Sequence, residues 1–331
     1  MTISDVLNDE SKDLKNVFDS NPISNNSDDY ELNQDMGNCQ YFTETEFSEF
    51  ISEKNISDNS HLKILSLNAA NLISKLKSIK IMIQNISNAS NRPNLITITE
   101  THLSKSQNHG YSPLELEKII PGYKFFHKDQ SKKRDGGVGI FIEEMLAENA
   151  SVENDKLFVD EIFESISVKI PDFPTQRGAK NLILVAIYRQ PNDGNLRRFL
   201  ELLESWFQLY DKRSNELIVT GDFNLDLLKY QTHQMTSEYL DVMTSHSLLP
   251  AITRPTRIKH TSATLIDHIF TKKAGLDSCI LTSDLAGSHG YTDHYPVLCL
   301  YPTKRDNLNK TTTFTKKILQ LRVIKPEERA C

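Results

Sequence analysis

Four short phrases in this chain each place an acid or an imidazole at the end of an apolar run, and they narrow the fold more than any bulk property does. Residues 219–224 read Val-Thr-Gly-Asp-Phe-Asn, so Asp222 and Asn224 leave the apolar run 217–220 two positions apart. A strand has a period of two, which puts both side chains on one face at its exit. Residues 292–296, Thr-Asp-His-Tyr-Pro, set Asp293 beside His294. Residues 265–270, Leu-Ile-Asp-His-Ile-Phe, bury the carboxylate of Asp267 in an apolar strand, where it needs a partner. Residues 96–100, Ile-Thr-Ile-Thr-Glu, end another strand on Glu100. Strand ends that deliver hard oxygen ligands and acid/base groups together point to one metal-assisted site for phosphoester hydrolysis.

Between these phrases the pattern alternates. Strands are expected at 62–67, 95–99, 137–142, 162–170, 182–188, 217–220, 265–271, 278–281 and 295–300. Apolar residues at helical spacing predict helices at 72–86, 196–210 and 237–246, the second holding the only tryptophan, Trp206. Residues 104–121 read as a loop with a short helical piece. Mixed strands with helices outside them predict an α/β fold, a four-layered sandwich of two packed mixed β-sheets flanked by helices.

Composition divides the chain of 331 residues. Residues 1–60 hold 14 of its 44 acidic side chains and 3 of its 38 basic ones, which leaves 30 acids against 35 bases in the remainder. The first 60 residues are expected to be an acidic, disordered tail with a short helix near 41–52. Residues 61–302 form the expected globular domain, and 303–331 a linker-like tail rich in Lys, Arg and Thr. The mildly basic body suits a phosphate-bearing partner, although ordinary surfaces carry such a charge too. There is no apolar stretch of membrane-spanning length and no signal-peptide pattern. Cys39, Cys279, Cys299 and Cys331 lack metal-type spacing and are expected as reduced thiols of an intracellular protein.

Taken in order, Ser66-Leu67-Asn68, Thr99-Glu100-Thr101-His102, Gly136-Gly137-Val138-Gly139, Tyr188-Arg189-Gln190-Pro191-Asn192, Gly221-Asp222-Phe223-Asn224, Arg254-Pro255-Thr256-Arg257, Ile266-Asp267-His268 and Thr292-Asp293-His294 resemble the endonuclease/exonuclease/phosphatase superfamily. The Tyr-Arg-x-Pro-Asn and Arg-Pro-Thr-Arg phrases look like the apurinic-like endonuclease domain of non-LTR retrotransposons. The resemblance implies Glu100, Asp293 and Asn68 at a Mg²⁺ site, with Mn²⁺ as a substitute. It makes Asp222 the group that orients or deprotonates the attacking water. Asn224 and Tyr188 would hydrogen-bond the phosphate, and Asp267 would orient His294, which acts either as a base or as a charged stabiliser. Asn68 would also organise neighbouring acids; a helix-capping role falls more naturally to Asn71. Arg189 and Arg257 are candidate phosphate contacts. His268 is expected on the opposite face from Asp267. Gly136-Gly137 lacks the pattern of a nucleotide-binding loop, so no nucleotide cofactor is expected.

Two departures from the family pattern stand out. Thr292 replaces the usual serine, and Asp135 stands where related nucleases carry glycine, next to Lys132, Lys133 and Arg134. Neither touches a predicted ligand. The expected activity is therefore DNA endonuclease cleavage by a monomer, nicking to leave a 3′-hydroxyl, in a retrotransposon-derived chain that stops before any reverse transcriptase. Nuclear action follows from that activity. Two alternatives stay open: another phosphoesterase of the same fold (phosphatase, deadenylase or sphingomyelinase), or a catalytically silent nucleic-acid-binding remnant.

Overall fold

The computed structural model of the protein describes residues 38–57, 60–86, 92–103, 111, 113–128, 136–153, 162–176, 178–259, 262–282 and 292–303. Most of the acidic tail, the segment from 304 on, and Lys132 to Asp135 lie outside the described residues. In chain order the elements are β1 (Cys39–Phe42), α1 (Glu44–Glu53), β2 (His61–Asn68), α2 (Leu72–Ile86), β3 (Leu95–Thr99), α3 (Pro113–Glu117), β4 (Tyr123–Lys128), β5 (Val138–Glu143), α4 (Glu144–Ala147), β6 (Ser151–Val152) and β7 (Phe163–Thr175). There follow β8 (Gly178–Arg189), α5 (Leu196–Tyr210), β9 (Asn215–Asp222), α6 (Gln234–Ser245), β10 (Leu249–Pro250), β11 (Arg257–Lys259), β12 (Ser262–Thr264), β13 (Asp267–Thr271), β14 (Ser278–Leu281) and β15 (Val297–Pro302).

Among the described residues these strands form two large mixed sheets and a small hairpin. The seven-stranded sheet runs β1-β14-β15-β2-β3-β5-β4, the six-stranded sheet β10-β13-β9-β8-β7-β6, and β11-β12 pair alone. The central strands read as continuous apolar runs because both of their faces are covered: every residue of β3 and β9 is buried. Between the sheets, Ile64, Ile140, Val168, Leu184 and Ile218 belong to one core cluster, and Thr97 of β3 touches Thr220 of β9 at 3.2 Å. Outside the seven-stranded sheet, α2 buries Leu72, Leu76, Ile79, Met82, Ile83 and Ile86, a stripe at three- and four-residue spacing. Across the molecule α5 does the same with Leu196, Phe199, Leu200, Leu203, Trp206 and Phe207, and the Trp206 indole donates to Ser167 at 3.2 Å. The result is four layers, helix–sheet–sheet–helix.

The folded body begins upstream of residue 61, where composition set its boundary. Cys39–Phe42 pairs in parallel with β14 at the sheet edge, and α1 is capped by Thr43, whose hydroxyl and Glu46 form a reciprocal capping box. Tyr41 explains this: an apolar alternation only four residues long is enough when an open edge strand waits for it. The short strands β4, β6, β10, β11 and β12 carry no periodicity that separates them from loops. Cys39, Cys279 and Cys299 are buried free thiols, and no helix among the described residues is long and apolar enough to cross a membrane.

Candidate active site

Three adjacent strands of the six-stranded sheet bring three of the singled-out residues into one row. Tyr188 on β8 is the register partner of Asp222 on β9, and Asp222 is the partner of Asp267 on β13. Paired residues share a face, so the phenol and two carboxylates stand side by side at the rim. The approach of β8 to β9 there depends on Gly221, with φ of 135°; a Cβ would lie 1.9 Å from the Ile187 carbonyl oxygen. The glycine of the Gly-Asp-Phe-Asn phrase is thus a packing requirement.

The other sheet supplies Asn68 and Glu100. The Asn68 side-chain nitrogen donates to Glu100 Oε1 at 2.8 Å and to Asp222 Oδ2 at 2.9 Å, bridging the two sheets. Its oxygen accepts the Ala70 N–H at 2.9 Å. With its nitrogen facing both acids and its oxygen capping its own turn, Asn68 ties the two carboxylates together. Glu100 follows β3 in a turn where Glu100 and His102 hold φ of 51° and 53°. Burial and the nearby Glu100 and Asp222 carboxylates push the Tyr188 phenol far above the ordinary range, so the hydroxyl stays protonated.

Asp267 faces His294, whose Nδ1 lies 2.9 and 3.1 Å from the two carboxylate oxygens and 3.8 Å from Asp222 Oδ2. Asp222, Asp267 and His294 are 1 %, 2 % and 8 % exposed. Burial alone would lower the His294 pKa; Asp267 overcomes it and raises the ring to about 9, so the imidazole is a cation at neutral pH. Burial and then the Asp267 charge push Asp222 upward, against the opposing pull of His294 and the N–H donors of Asn224 and Asn68. Sequence reasoning attached no role to Thr256, yet its hydroxyl donates to Asp267 Oδ2 at 2.7 Å and accepts the Asp267 N–H at 3.1 Å. Its signal lies in the Arg-Pro-Thr-Arg phrase, between two arginines of more obvious chemistry.

The other singled-out residues have different surroundings. Asp293, expected as a metal ligand, gives Oδ2 to Arg257 Nε at 2.7 Å, Arg257 Nη2 at 2.6 Å and Lys259 Nζ at 3.1 Å, and its side chain is 40 % exposed. Burial would raise its pKa, but these cations hold the carboxyl below the usual range. Arg257 is therefore engaged by Asp293 and Arg189 by its own scaffold. The Arg189 side chain is buried and donates to the carbonyls of Phe223 at 2.6 Å, Asn224 at 2.8 Å and Asn192 at 3.0 Å, so it shapes the turn that carries Asn224 instead of facing a phosphate. Asn224, at φ of 48°, donates its backbone N–H to Asp222 Oδ1 at 3.0 Å and its side-chain nitrogen to the Arg189 carbonyl at 2.8 Å. His268 turns away from the site: it stacks on Phe223 with centroids 5.0 Å apart, accepts from Tyr239 at 3.1 Å and donates to Leu265 O at 3.0 Å. Burial lowers its pKa to about 4, and it is a neutral core residue.

The donor set fits a hard divalent cation. Glu100 is held from one side by Asn68, and donor atoms of Asp222, Asp267 and His294 lie within 4.8 Å of one another. Of these, the Asp267–His294 pair is already satisfied internally, so Glu100 and Asp222 are the carboxylates with capacity to spare.

Two mixed sheets with clustered acids and an acid-paired imidazole at one rim define a phosphoesterase-type α/β sandwich. Residues 65–294 match the Endonuclease/Exonuclease/phosphatase family, and the chain belongs to that family. Comparison with curated proteins finds no significant match. Among solved structures it is similar to the 3′ phosphatase NExo from Neisseria bound to product DNA hairpin (15 % identity, 72 % of this chain and 99 % of that one, TM-score 0.54). It is also similar to the endonuclease domain of TRAS1, a telomere-specific non-LTR retrotransposon (15 %, 74 % and 100 %, 0.51), and to the AP endonuclease LMAP from Leishmania major (12 %, 76 % and 90 %, 0.55). At these identities the likeness concerns the fold.

Proposed function

We propose that this protein is a Mg²⁺-dependent DNA endonuclease of retrotransposon type, acting in the nucleus as a monomer and nicking DNA to leave a 3′-hydroxyl. The observation that carries the reading is the central place of Asp222: it receives N–H donors from Asn68 and Asn224 and faces the Asp267–His294 pair. A carboxylate so oriented can take a proton from water as the water oxygen attacks phosphorus. The P–O3′ bond then breaks, and the departing oxygen is protonated from solvent. His294, charged and fixed by Asp267, stabilises the negative charge that builds on the phosphoryl oxygens. The Tyr188 hydroxyl and Asn224 amide orient the same group. A divalent cation held by Glu100 would supply Lewis-acid polarisation of the phosphate and stabilise the leaving oxygen.

Supercoiled-plasmid nicking by the full chain, in Mg²⁺ and in EDTA, tests this. Mg²⁺-dependent open circles are expected, with Asp222→Ala and His294→Ala each lowering the rate by about 10²–10⁴-fold. Wild-type protein that leaves plasmid intact, or mutants that nick equally well, would refute DNA cleavage by this site. Phosphomonoester and RNA substrates, run alongside, decide between this reading and another phosphoesterase.

A further inference from the structure

One buried carboxylate near the site has no part in the chemistry above. Glu164 lies on β7, only 9 % exposed, as the register partner of Tyr188. Its Oε2 accepts the backbone N–H of Gly137, which belongs to the opposite sheet just before β5. That glycine pair in turn grips the turn that carries Glu100. The Gly137 carbonyl accepts from Thr101 N at 3.1 Å, and the Gly136 carbonyl from His102 N at 2.8 Å. The contact is close: Gly137 sits at φ of +90°, and a Cβ there would lie 2.3 Å from Thr101 Oγ1. Glu100 and His102, on either side of Thr101, both occupy the left-handed region that non-glycine residues seldom adopt.

A left-handed turn persists only where its surroundings over-determine it. Here the surroundings are two glycines, residues with more backbone freedom than any others. Something must fix those glycines in place, and a charge-assisted bond from a buried carboxylate is well suited to do it. We infer that Glu164 is a positioning residue: through the Gly136-Gly137 clamp it sets the Glu100 carboxylate where Asn68 also reaches it. The inference rests on the proposed role of Glu100 as a cation ligand, and it adds a carboxylate that binds neither cation nor substrate but acts across the two sheets.

The test is calorimetric titration of the full chain with Mn²⁺, a readout independent of turnover, on Glu164→Ala, Glu164→Gln, Glu100→Ala and the Glu100→Ala/Glu164→Ala double variant. Glu164→Ala is expected to weaken Mn²⁺ binding by about 10-fold or more, the usual effect of removing a group that orients a ligand. Glu164→Gln, whose amide oxygen can accept the same N–H, is expected to restore the affinity. The double variant should bind no more weakly than Glu100→Ala alone, because the effect runs through Glu100. Should Glu164→Ala fail to fold, Glu164→Met fills the space without an acceptor and carries the same expectation. Wild-type affinity in Glu164→Ala, with Glu100→Ala impaired, would overturn the inference and leave the proposed function standing. So would a Glu164→Gln variant as weak as Glu164→Ala, or a full further loss in the double variant. Undiminished binding in Glu100→Ala would overturn both.

Discussion

Strand β9 carries two buried acids on the same inward face, six residues apart, and they live in opposite circumstances. Glu216, near its start, accepts from the Tyr301 hydroxyl at 2.6 Å and from the Lys180 ammonium at 3.0 Å. Tyr301 belongs to the other sheet, so this is a neutralised tie between the two halves of the sandwich. Asp222, at the other end, faces a second carboxylate and an imidazolium and receives only amide N–H donors. Burial pushes its pKa up, with Asp267 adding to the effect. The same residue chemistry on the same strand thus serves cohesion at one rim and stored electrostatic tension at the other. A buried acid answered by a cation reads as structure; one left beside another acid reads as a candidate site.

The largest effect that separates the two rims is expected at Asp222. Asp222→Asn should lose nicking by about 10²–10⁴-fold while the protein keeps or gains thermal stability. The sign follows from linkage. A carboxyl whose folded pKa lies above its unfolded value of 3.8 makes the folded state bind more protons, so its contribution is lost as pH rises through the folded pKa of about 7. The variant should therefore gain on wild type more at pH 8 than at pH 5, and thermal melts at both values check it. A destabilised Asp222→Asn would mean that this acid is as structural as Glu216.

His294 sharpens the comparison next. Its cationic form should persist to about pH 9 in the wild type, read by NMR titration of the ring. Asp267→Asn removes the influence that overcomes burial, so the midpoint should fall, and above the new midpoint the imidazolium population drops about tenfold per pH unit. An unmoved midpoint would separate the pair. At the opposite rim, Glu216→Ala should cost about 1.5–3 kcal/mol by denaturant unfolding, the range for hydrogen bonds to a charged group, with nicking by the folded protein unchanged. Loss of activity without loss of stability there would break the contrast. The smallest effect is expected at the hairpin. Arg257 and Asp293 are both partly exposed, and Arg257→Gln should change stability by about 1 kcal/mol or less in the same unfolding experiment.

Periodicity was enough to place the long elements. The helices over Leu72–Ile86 and Leu196–Tyr210 coincide with their apolar stripes, and the strand Leu95–Thr99 with its apolar run. Short elements were less legible: β1 is four residues of an acidic-looking segment, stabilised by an edge 239 positions away at Ser278 that local pattern does not see. At the site, residues tied to a strand end were readable because strand geometry fixes where they go. Asp293, on a connecting segment, was free to turn toward Arg257 and Lys259, and the direction of such a side chain is not encoded by spacing. The surroundings of Arg189 are equally invisible to spacing. A charged residue after a strand looks exposed, and only its three carbonyl partners reveal a buried brace.

By itself the sequence determined the alternation of strands and helices, the two-sheet class of fold, and which acids, amides and imidazoles stand at strand ends, since all of these follow from local period and the order of phrases. Only the tertiary structure decided which of them meet. The bridge from Asn68 to Asp222 spans 154 positions, and the hold of Glu164 on Gly137 spans the two sheets. The reason is physical: burial, charge neutralisation and hydrogen-bond direction are properties of neighbours in space. Glu216 and Asp222 are both acids on one face of one strand, and only their neighbours in space make one a tie and the other a candidate base.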